Sequence, residues 1–271
     1  CVGIRLPNEE YIPGGLTAED NAEIAKVVEP YVDYISLHMG SYWRFHKLLS
    51  PMDDPLGHEM PANRPIIKQL TKPTIVVGRI MTLDQANTIV SEGQADMVSM
   101  VRALIADPGL VNKAKHGNTD LIRPCIGSNF GCVGQIMSTG KLGCVVNIAA
   151  AQETEVTFEP TKLPKATEKI LIVGGGPAGL EAARTAAILG HEVHLHEATK
   201  RLGGQVTIAA TAPHRADLGA ITKWLESEME RLKINVTLNS LVDPDLVAEI
   251  APDRIILATG STPRADGFQL T

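Results

Sequence analysis

The sequence predicts an α/β protein built on two parallel sheets, and two repeated patterns carry this prediction. In the first 117 residues, short apolar strands rich in Val, Ile and Met alternate four times with amphipathic helices. From Lys169 onward a second strand–helix–strand pattern begins. Strands that alternate with helices are typical of parallel sheets, because each helix carries the chain back across the sheet. The glycine- and cysteine-rich stretch between the two patterns predicts irregular structure.

Size and composition support two folded domains and argue against several classes of protein. With 271 residues, 44% of them hydrophobic, the chain can bury two cores. Its net charge of −6 comes without a Lys- or Arg-rich run, which argues against nucleic-acid binding. The most apolar stretch, residues 169–190, is interrupted by glycines, proline and charges, so it does not indicate a membrane span. Four cysteines and no signal-peptide pattern predict a cytoplasmic protein without disulfides.

The first region, residues 1–124, is expected to form half of a TIM barrel. Its strands are predicted at residues 2–6, 33–38, 73–78 and 96–100. Residues suited to helix starts and glycines suited to helix ends punctuate the pattern: Thr17, Asp20, Thr82, Gln85, Gly93 and Gly117. A TIM barrel needs eight strand–helix units and about 250 residues. Because the chain opens on Cys1 and runs directly into a strand, we expect a fragment whose remaining barrel half lies in preceding sequence.

The clearest motif opens the last region. Gly174, Gly176 and Gly179 form a GxGxxG motif directly after an apolar strand, and the motif leads through Pro177 and Ala178 into an Ala-rich helix. The first glycine permits a tight turn, and the second lets the backbone approach a pyrophosphate. The third lets the helix pack closely on the strand, and the helix N-terminus favours the negative charge. The motif therefore predicts a Rossmann-like domain.

A carboxylate in the expected place supports this domain, which is predicted over residues 168–271. Glu197 follows the second strand, where its side chain can accept hydrogen bonds from an adenosine ribose and would repel a 2′-phosphate. The alternative is a glycine-rich turn that binds nothing. The complete strand–turn–helix–strand–acid unit favours dinucleotide binding over that alternative.

Three cysteines predict a metal site in the segment between the two domains, residues 125–167, which ends in a polar linker. Cys125, Cys132 and Cys144 are separated by short glycine-rich loops. Thiolates with glycines between them suit an iron–sulfur cluster or zinc, because the backbone can wrap closely and donate N–H groups to sulfur. Three buried thiols without a metal are the alternative that the spacing leaves open.

This cysteine segment resembles that of the 2,4-dienoyl-CoA reductase and trimethylamine dehydrogenase family, which joins an FMN-binding TIM barrel to an iron–sulfur cluster and a dinucleotide-binding domain. The family pattern is CxxC, three residues, C, eleven residues, C, and it holds a 4Fe-4S cluster. Cys125, Cys132 and Cys144 match three positions, whereas Ser128 stands at the remaining one. The resemblance implies a cluster held by the three cysteines, and Ser128 could ligate iron through its harder oxygen. Otherwise the cluster would lose an iron, use an outside ligand or not assemble.

Two later segments resemble the two-dinucleotide-binding flavoproteins. Gly204 and Gln205 belong to a second glycine motif shortly after the acidic residue. Thr259 and Gly260 belong to a later strand motif with the letters ATG. The resemblance implies that the bound group is FAD, or its ADP half, and that NAD(P)H is the electron donor.

The same resemblance implies that the half barrel is the C-terminal half and that it binds FMN. Arg5, on the fifth strand of the complete barrel, would lie against the pyrimidine edge of FMN, where a positive charge stabilises the anionic reduced flavin. Gly78 and Arg79 match one phosphate-binding loop of the family, and Val101 and Arg102 match the other. Val101 replaces the usual glycine of that loop.

Tyr42 and His38 are the candidate catalytic residues. In the reductases of the family, a histidine in the loop after strand six assists proton transfer, and Tyr42 takes its position here, with His38 four residues earlier. Either side chain can donate a proton or orient a substrate carbonyl. The alternative is an aromatic lid over the flavin.

The expected function is that of a flavin-dependent oxidoreductase that passes electrons between FMN, the cluster and an FAD/NAD(P)H domain. By resemblance to the 2,4-dienoyl-CoA reductases, it would reduce an activated C=C bond of a small-molecule substrate. In the alternative direction, an amine C–N bond is oxidised and electrons leave toward an electron-transfer protein. A hypothesis of another class is a non-catalytic, dinucleotide-binding piece of an assembly. A homo-oligomer fits any of these.

Overall fold

The computed structural model describes residues 1–156, 164 and 166–262, and it divides the chain into two compact units, Cys1–Val156 and Thr157–Thr271. Each unit contains a four-stranded parallel sheet, which confirms the predicted α/β class. Within the described ranges, no helix is long and apolar enough to cross a membrane. Part of the predicted linker (157–163 and 165) and the end of the predicted dinucleotide domain (263–271) lie outside the described residues.

The first unit follows a strand–helix order, and its strands lie side by side in chain order. The strands are β1 (Gly3–Pro7), β2 (Tyr34–His38), β3 (Thr74–Val76) and β4 (Met97–Val98). The helices are α1 (Ala18–Val28), α2 (Phe45–Leu48), α3 (Met60–Ile67), α4 (Leu83–Ser91), α5 (Val101–Ala106), α6 (Leu110–Lys115) and α7 (Gln135–Thr139). The structure therefore contains the four predicted strands, each near its predicted place.

Strand β3 is shorter than predicted because the backbone turns sharply beyond it. Gly78 has φ 120° and Arg79 has φ 49°, so neither residue continues the extended conformation of a strand. The predicted strand at residues 73–78 consequently ends at Val76. The turn that replaces its last residues lies at the carboxyl end of the sheet.

Local side chains and glycines determine where several helices of this unit begin and end. Thr17 caps α1 in a full capping box, with reciprocal hydrogen bonds to Asp20. The second predicted box is only half formed: Thr82 accepts from the backbone N–H of Gln85, whereas the Gln85 side chain accepts from the N–H of Met81 instead. The two glycines predicted at helix ends have positive φ.

Two buried apolar clusters hold helices against this sheet. One cluster joins α1 and α3 to β1 and β2 through Leu6, Ala22, Ala25, Ile35, Leu37 and Ile66. The other joins α3, α4, α5 and α6 to the region of β3 through Met60, Val76, Ile80, Ala86, Ile89, Ala95, Met100, Ala103 and Leu110. These clusters hold the strands in place, and the strands in turn position the loops at their carboxyl ends.

The second unit places its first strand in the middle of the sheet, in the order β7-β6-β5-β8. The strands are β5 (Lys169–Val173), β6 (Glu192–His196), β7 (Asn235–Thr237) and β8 (Arg254–Leu257). The helices are α8 (Pro177–Ile188), α9 (Gly204–Ala209), α10 (Gly219–Arg231) and α11 (Pro244–Ile250). Parallel strands on both sides of β5 form the sheet that the Rossmann-like pattern predicts.

A buried ion pair joins α8 to α10. The Arg184 Nε donates to Glu228 Oε2 over 2.8 Å, and the side chains of both residues are almost fully buried. Arg231 donates to the same carboxylate, and the Arg184 guanidinium also lies 5.0 Å from the ring centre of Trp224. The Glu228 carboxylate therefore balances two guanidinium groups between the helices.

We expect Glu228→Ala to lower the free energy of unfolding of this unit by about 3 kcal/mol, because it leaves the buried Arg184 guanidinium with only the longer, 3.5 Å contact to the more exposed Glu181. Glu230→Ala, at an exposed position of the same helix, is the matched control and should change stability little. Hydrogen exchange of the α8 and α10 amides, measured in the native-length protein, checks the result. Equal protection in the two variants would contradict it.

Candidate functional site

A cavity of about 370 Å³ lies at the carboxyl ends of the strands of the first unit. Residues from all four strand regions line it. They include every residue for which the sequence predicts an FMN-binding or catalytic role, namely Arg5, His38, Tyr42, Gly78, Arg79, Val101 and Arg102. In a barrel of parallel strands this end is where active sites are found.

Two arginines are fixed at one side of this cavity by backbone carbonyl groups. The buried Arg79 donates to the carbonyl oxygen of Pro51 over 2.8 Å. Arg102 donates to the carbonyl of Ser50 over 2.8 Å and to the side-chain oxygen of Asn129 over 2.6 Å. Burial, and the neighbouring charge of Arg79, lower the pKa of Arg102. Two cations in a half-enclosed space favour an anion between them, and a phosphate group has the oxygens to accept from both.

The turn beside Arg79 requires glycine. A Cβ atom on Gly78 would lie 2.4 Å from Cγ of Glu59, and φ at this residue is 120°. A larger residue would therefore displace the Glu59 side chain and strain the backbone. Glycine thus keeps the backbone of this loop at the cavity wall.

Glu59 is a cavity residue that sequence reasoning missed. It precedes α3, is only 2% exposed, and lines the same cavity as the arginines. Burial raises its pKa to about 8, against the opposing effects of Arg5, of the Met39 N–H and of Arg102. The local sequence gives no signal for this, because an acid before a helix ordinarily lies in solvent, where it favours the helix N-terminus.

The two catalytic candidates line the cavity in different environments. Tyr42 is 86% exposed, in a short 3-10 turn (Tyr42–Arg44), so its hydroxyl is accessible from solvent. His38 is half-buried at the end of β2, with Nδ1 3.4 Å from the carbonyl oxygen of Met39. Burial lowers the pKa of His38, and the positive charge of Arg5 acts in the same direction. His38 is therefore largely neutral at pH 7.

The cysteine segment packs within the first unit. A Cβ atom on Gly131 would lie 2.6 Å from the backbone nitrogen of Val145, so the loop that carries Cys132 touches the one that carries Cys144. The Gly127 N–H donates to the sulfur of Cys125 over 3.5 Å. Burial raises the pKa of Cys125, and the neighbouring thiols of Cys132 and Cys144 contribute to the same shift. The three thiols are thus close enough to influence one another.

The three thiols are not gathered into a complete set of metal ligands in this structure. Among the described residues, no group of three or more His, Cys, Asp or Glu side chains is placed to hold a metal ion. Ser128, which stands at the missing cysteine position, accepts from the N–H of Phe130 over 3.3 Å and thus forms a local turn. The predicted metal role of the three cysteines therefore stays a prediction.

The glycine motif of the second unit forms a tight turn between β5 and α8. Gly174 has φ 109°, and a Cβ on Gly179 would lie only 1.9 Å from the Gly174 carbonyl oxygen. The start of α8 therefore sits directly on the end of β5. Around the Cβ position of Gly176 there is open space to 4 Å, which leaves its backbone accessible to a ligand. Pro177 and Ala178 follow as the first residues of α8.

The other predicted dinucleotide-binding residues gather around the same turn. A Cβ on Gly204 would lie 3.1 Å from the Cα of Gly176. Gln205 at the start of α9 donates to the carbonyl of Ser261, directly beyond Gly260. Thr259 packs near Gly174, whose added Cβ would lie 3.2 Å from the Thr259 Cα. The structure thus brings the two glycine motifs and the ATG segment to the carboxyl end of β5.

Glu197 secures the glycine turn from the neighbouring strand. Its carboxylate accepts from the N–H groups of Gly175 over 2.7 Å and Thr199 over 2.8 Å. Burial alone would raise the pKa of Glu197, but these hydrogen bonds outweigh it and hold the pKa below its usual value. The sequence predicts a contact with the ribose. In the structure, the carboxylate also holds the turn that a pyrophosphate would approach.

The chain thus carries a half barrel that has a cation-lined cavity, followed by a domain that has a dinucleotide-type glycine turn. Residues 1–120 match the NADH:flavin oxidoreductase / NADH oxidase family, and residues 168–269 match the pyridine nucleotide-disulphide oxidoreductases. The first domain therefore belongs to the NADH:flavin oxidoreductase / NADH oxidase family. The resemblance to the 2,4-dienoyl-CoA reductase and trimethylamine dehydrogenase family is thereby confirmed.

Individual relatives match nearly the whole chain. It is 38% identical to an NADH oxidase of Thermoanaerobacter brockii, over 99% of this chain and 42% of that protein. It is 36% identical to the N,N-dimethylglycine/sarcosine dehydrogenase of Chromohalobacter salexigens, over 97% of this chain and 38% of that protein. The structure of 2-naphthoyl-CoA reductase with 2-naphthoyl-CoA superposes with a TM-score of 0.88 at 29% identity, over 98% of this chain and 41% of that chain. The chain thus spans about two fifths of the length of these relatives.

We expect Glu197→Ala to weaken ADP binding by about 1.5–3 kcal/mol, because the variant removes charge-assisted hydrogen bonds to the ligand and to the glycine turn. Glu192→Ala, at the opposite and exposed end of β6, is the control and should bind ADP normally. Calorimetric titration of the native-length protein with ADP measures both affinities. Unchanged affinity in Glu197→Ala would remove this residue from the site.

Proposed function

We propose that the protein that carries this chain is a flavin-dependent oxidoreductase whose FMN binds in the arginine-lined cavity of the first unit. The observation that carries the proposal is the convergence of Arg5, Arg79 and Arg102 on one cavity at the carboxyl ends of parallel strands. FMN would supply two-electron redox chemistry in this cavity. Arg79 and Arg102 would hold its phosphate, with the backbone of Gly78 and Val101 alongside, and Arg5 would face the flavin ring.

The residues present fit such a group. The buried Arg79 and the half-buried Arg102 both line the cavity, and the oxygens of a phosphate group could accept hydrogen bonds from both. Gly78 keeps a Cβ out of a crowded wall, as expected where backbone must approach a ligand. The second unit fits the ADP part of a dinucleotide in the same way, through the open backbone of Gly176 and the carboxylate of Glu197. We propose FAD or ADP there, with NAD(P)H as electron donor.

Reduction of an activated C=C bond is the reaction we propose first. Such a reduction adds a hydride to one carbon and a proton to the other, and bound FMN would supply the hydride. The hydroxyl of Tyr42 lies on the accessible rim of the cavity and can donate that proton. His38, neutral at pH 7, can donate a hydrogen bond that orients a substrate carbonyl. The similarity to a structure of 2-naphthoyl-CoA reductase supports a substrate with a carbonyl-activated double bond.

Oxidation of an amine is the second candidate. The observation that favours it is the 36% identity to the N,N-dimethylglycine/sarcosine dehydrogenase, over 97% of the chain. A neutral His38 could then accept the proton of the substrate ammonium group. In this direction electrons would leave toward an electron-transfer protein. A non-catalytic dinucleotide-binding role gives no reason for an arginine-lined cavity in the first unit.

We expect Tyr42→Phe in the native-length protein to slow reduction of an α,β-unsaturated carbonyl compound by about 100-fold, because the proton donor is lost. Reduction of the bound flavin by NAD(P)H should keep its rate. Tyr31→Phe, which alters an exposed tyrosine on another turn, is the control. Stopped-flow absorbance of the flavin follows both half-reactions.

The same measurement separates the three candidate functions. Bleaching of the flavin by a tertiary amine, without any reaction with the alkene, would replace the reductase proposal with the dehydrogenase one. A colourless protein would leave the non-catalytic role.

We propose further that Cys125, Cys132 and Cys144 bind an iron–sulfur cluster, on the strength of their spacing and of the contact between the loops that carry Cys132 and Cys144. Native-length protein purified without oxygen should hold less iron than a complete 4Fe-4S cluster needs, because Ser128 stands at the fourth position. Ser128→Cys should raise the iron content to the full complement, whereas Ser138→Cys, at an exposed position of the same segment, should not. Stoichiometric zinc without iron would refute the cluster.

A further inference from the structure

Glu59 is a titratable group inside the proposed flavin cavity for which the proposed reaction has no use. Its side chain is almost fully buried, and its carboxylate carbon would lie 2.5 Å from a Cβ on Gly78. Oε2 of this carboxyl is buried and has no hydrogen-bond partner among the described residues. A buried carboxyl oxygen without a partner, in the wall of a cavity, is placed to respond to whatever binds there.

The surroundings of Glu59 have opposing effects on its pKa. Arg5, the Met39 N–H and Arg102 favour the carboxylate, but burial prevails and raises the pKa to about 8. At pH 7 the group is therefore mostly a neutral acid, and at pH 9 it is mostly an anion. An anion entering the cavity adds a like charge and favours the neutral acid further.

We propose that binding of a phosphate-bearing flavin in this cavity is linked to protonation of Glu59, so that the protein takes up a proton with the ligand wherever Glu59 begins as a carboxylate. This inference rests on the proposed FMN site. It assigns Glu59 a role in setting affinity for the cofactor, through the repulsion between its carboxylate and the phosphate, and it gives binding a pH dependence.

The sign of the dependence follows from the two states. Below about pH 8, Glu59 is already neutral in the free protein, so binding costs no protonation and affinity is constant. Above it, each binding event must first protonate the carboxylate, so affinity falls as the pH rises. A phosphate monoester has a second pKa of about 6, so the phosphate of the ligand stays a dianion over this range.

Other groups near Glu59 keep their charge between pH 7 and 9.5. Burial lowers the pKa of His38 and of His58, so both are neutral throughout. Burial and nearby carboxylates raise the pKa of Tyr11 above its usual value of 10.0, so it is neutral as well. Among these groups, Glu59 is the one whose pKa, about 8, lies inside this window.

The test is the affinity of the native-length protein, freed of flavin, for FMN and for riboflavin from pH 7 to pH 9.5. FMN affinity should fall by about 30-fold over this range, and riboflavin affinity should stay constant because riboflavin lacks the phosphate. Calorimetry at pH 9 in buffers of different ionisation enthalpy should show uptake of about one proton for each FMN bound.

Glu59→Gln keeps the shape of the neutral acid and cannot ionise. It should bind FMN with nearly constant affinity across the range and take up no proton, whereas the exposed control Glu19→Gln should behave as the wild type. The calorimetric comparison on the wild-type protein stands even where the Gln variant does not fold.

Four outcomes separate the two proposals. FMN binding that is tight at pH 7 but independent of pH overturns the role of Glu59 and leaves the FMN site intact. An equal loss of affinity in Glu59→Gln overturns that role too. Proton uptake with riboflavin would overturn the phosphate as its cause. Failure of the wild type to bind FMN at pH 7 overturns the proposed function itself.

Discussion

Two positive charges enclosed at the carboxyl end of a parallel sheet constrain much of the first unit. Arg79 and Arg102 give up solvent, and the backbone carbonyls of Pro51 and Ser50 replace part of it. This requires the loop after α2 to return over the sheet and the chain after β3 to turn at once. Gly78 and Arg79 make this sharp turn after β3, and both have positive φ. The phosphate group of a ligand would bring negative charge to the two arginines, whereas Glu59, which lines the same cavity, is mostly neutral at pH 7.

The second unit depends on a different constraint, the contact of backbone with backbone. The carbonyl of Gly174 leaves no room for a Cβ on Gly179, so helix α8 begins directly against the end of β5. Glu197 then ties the turn to β6 through the N–H of Gly175. The consequence is a helix N-terminus whose first residues face open space at Gly176, where a pyrophosphate can approach.

The sequence predicts those features of this structure that depend on residues close together in the chain, and it does not predict those that depend on contacts between distant residues. Strands, the Thr17 cap and the glycine turn at Gly174 depend on neighbouring residues, and their prediction agrees with the structure. Glu59 escaped prediction because its burial arises from packing against Gly78 and a cavity built from distant strands. The arrangement of the three thiols cannot be predicted from their spacing in the sequence either, because it depends on how the loops of Cys132 and Cys144 contact each other. The sequence shows that a carboxyl and three thiols are present, but tertiary packing determines the protonation of the carboxyl and the neighbours of the thiols.

One residue connects the arginines to the cysteine segment. Asn129, three residues before Cys132, accepts from Arg102 and donates to the carbonyl of Leu49 over 2.7 Å. Its left-handed conformation, φ 58°, fits asparagine better than most side chains. The loop that carries the thiols therefore also holds the arginine proposed for the flavin phosphate, and Arg102 in turn lies within electrostatic reach of Cys125 and Cys132. A negative charge at Cys125 or Cys132 would therefore stabilise the Arg102 cation at the cavity. The cysteine segment and the cavity are thus joined both by the hydrogen bonds of Asn129 and by charge.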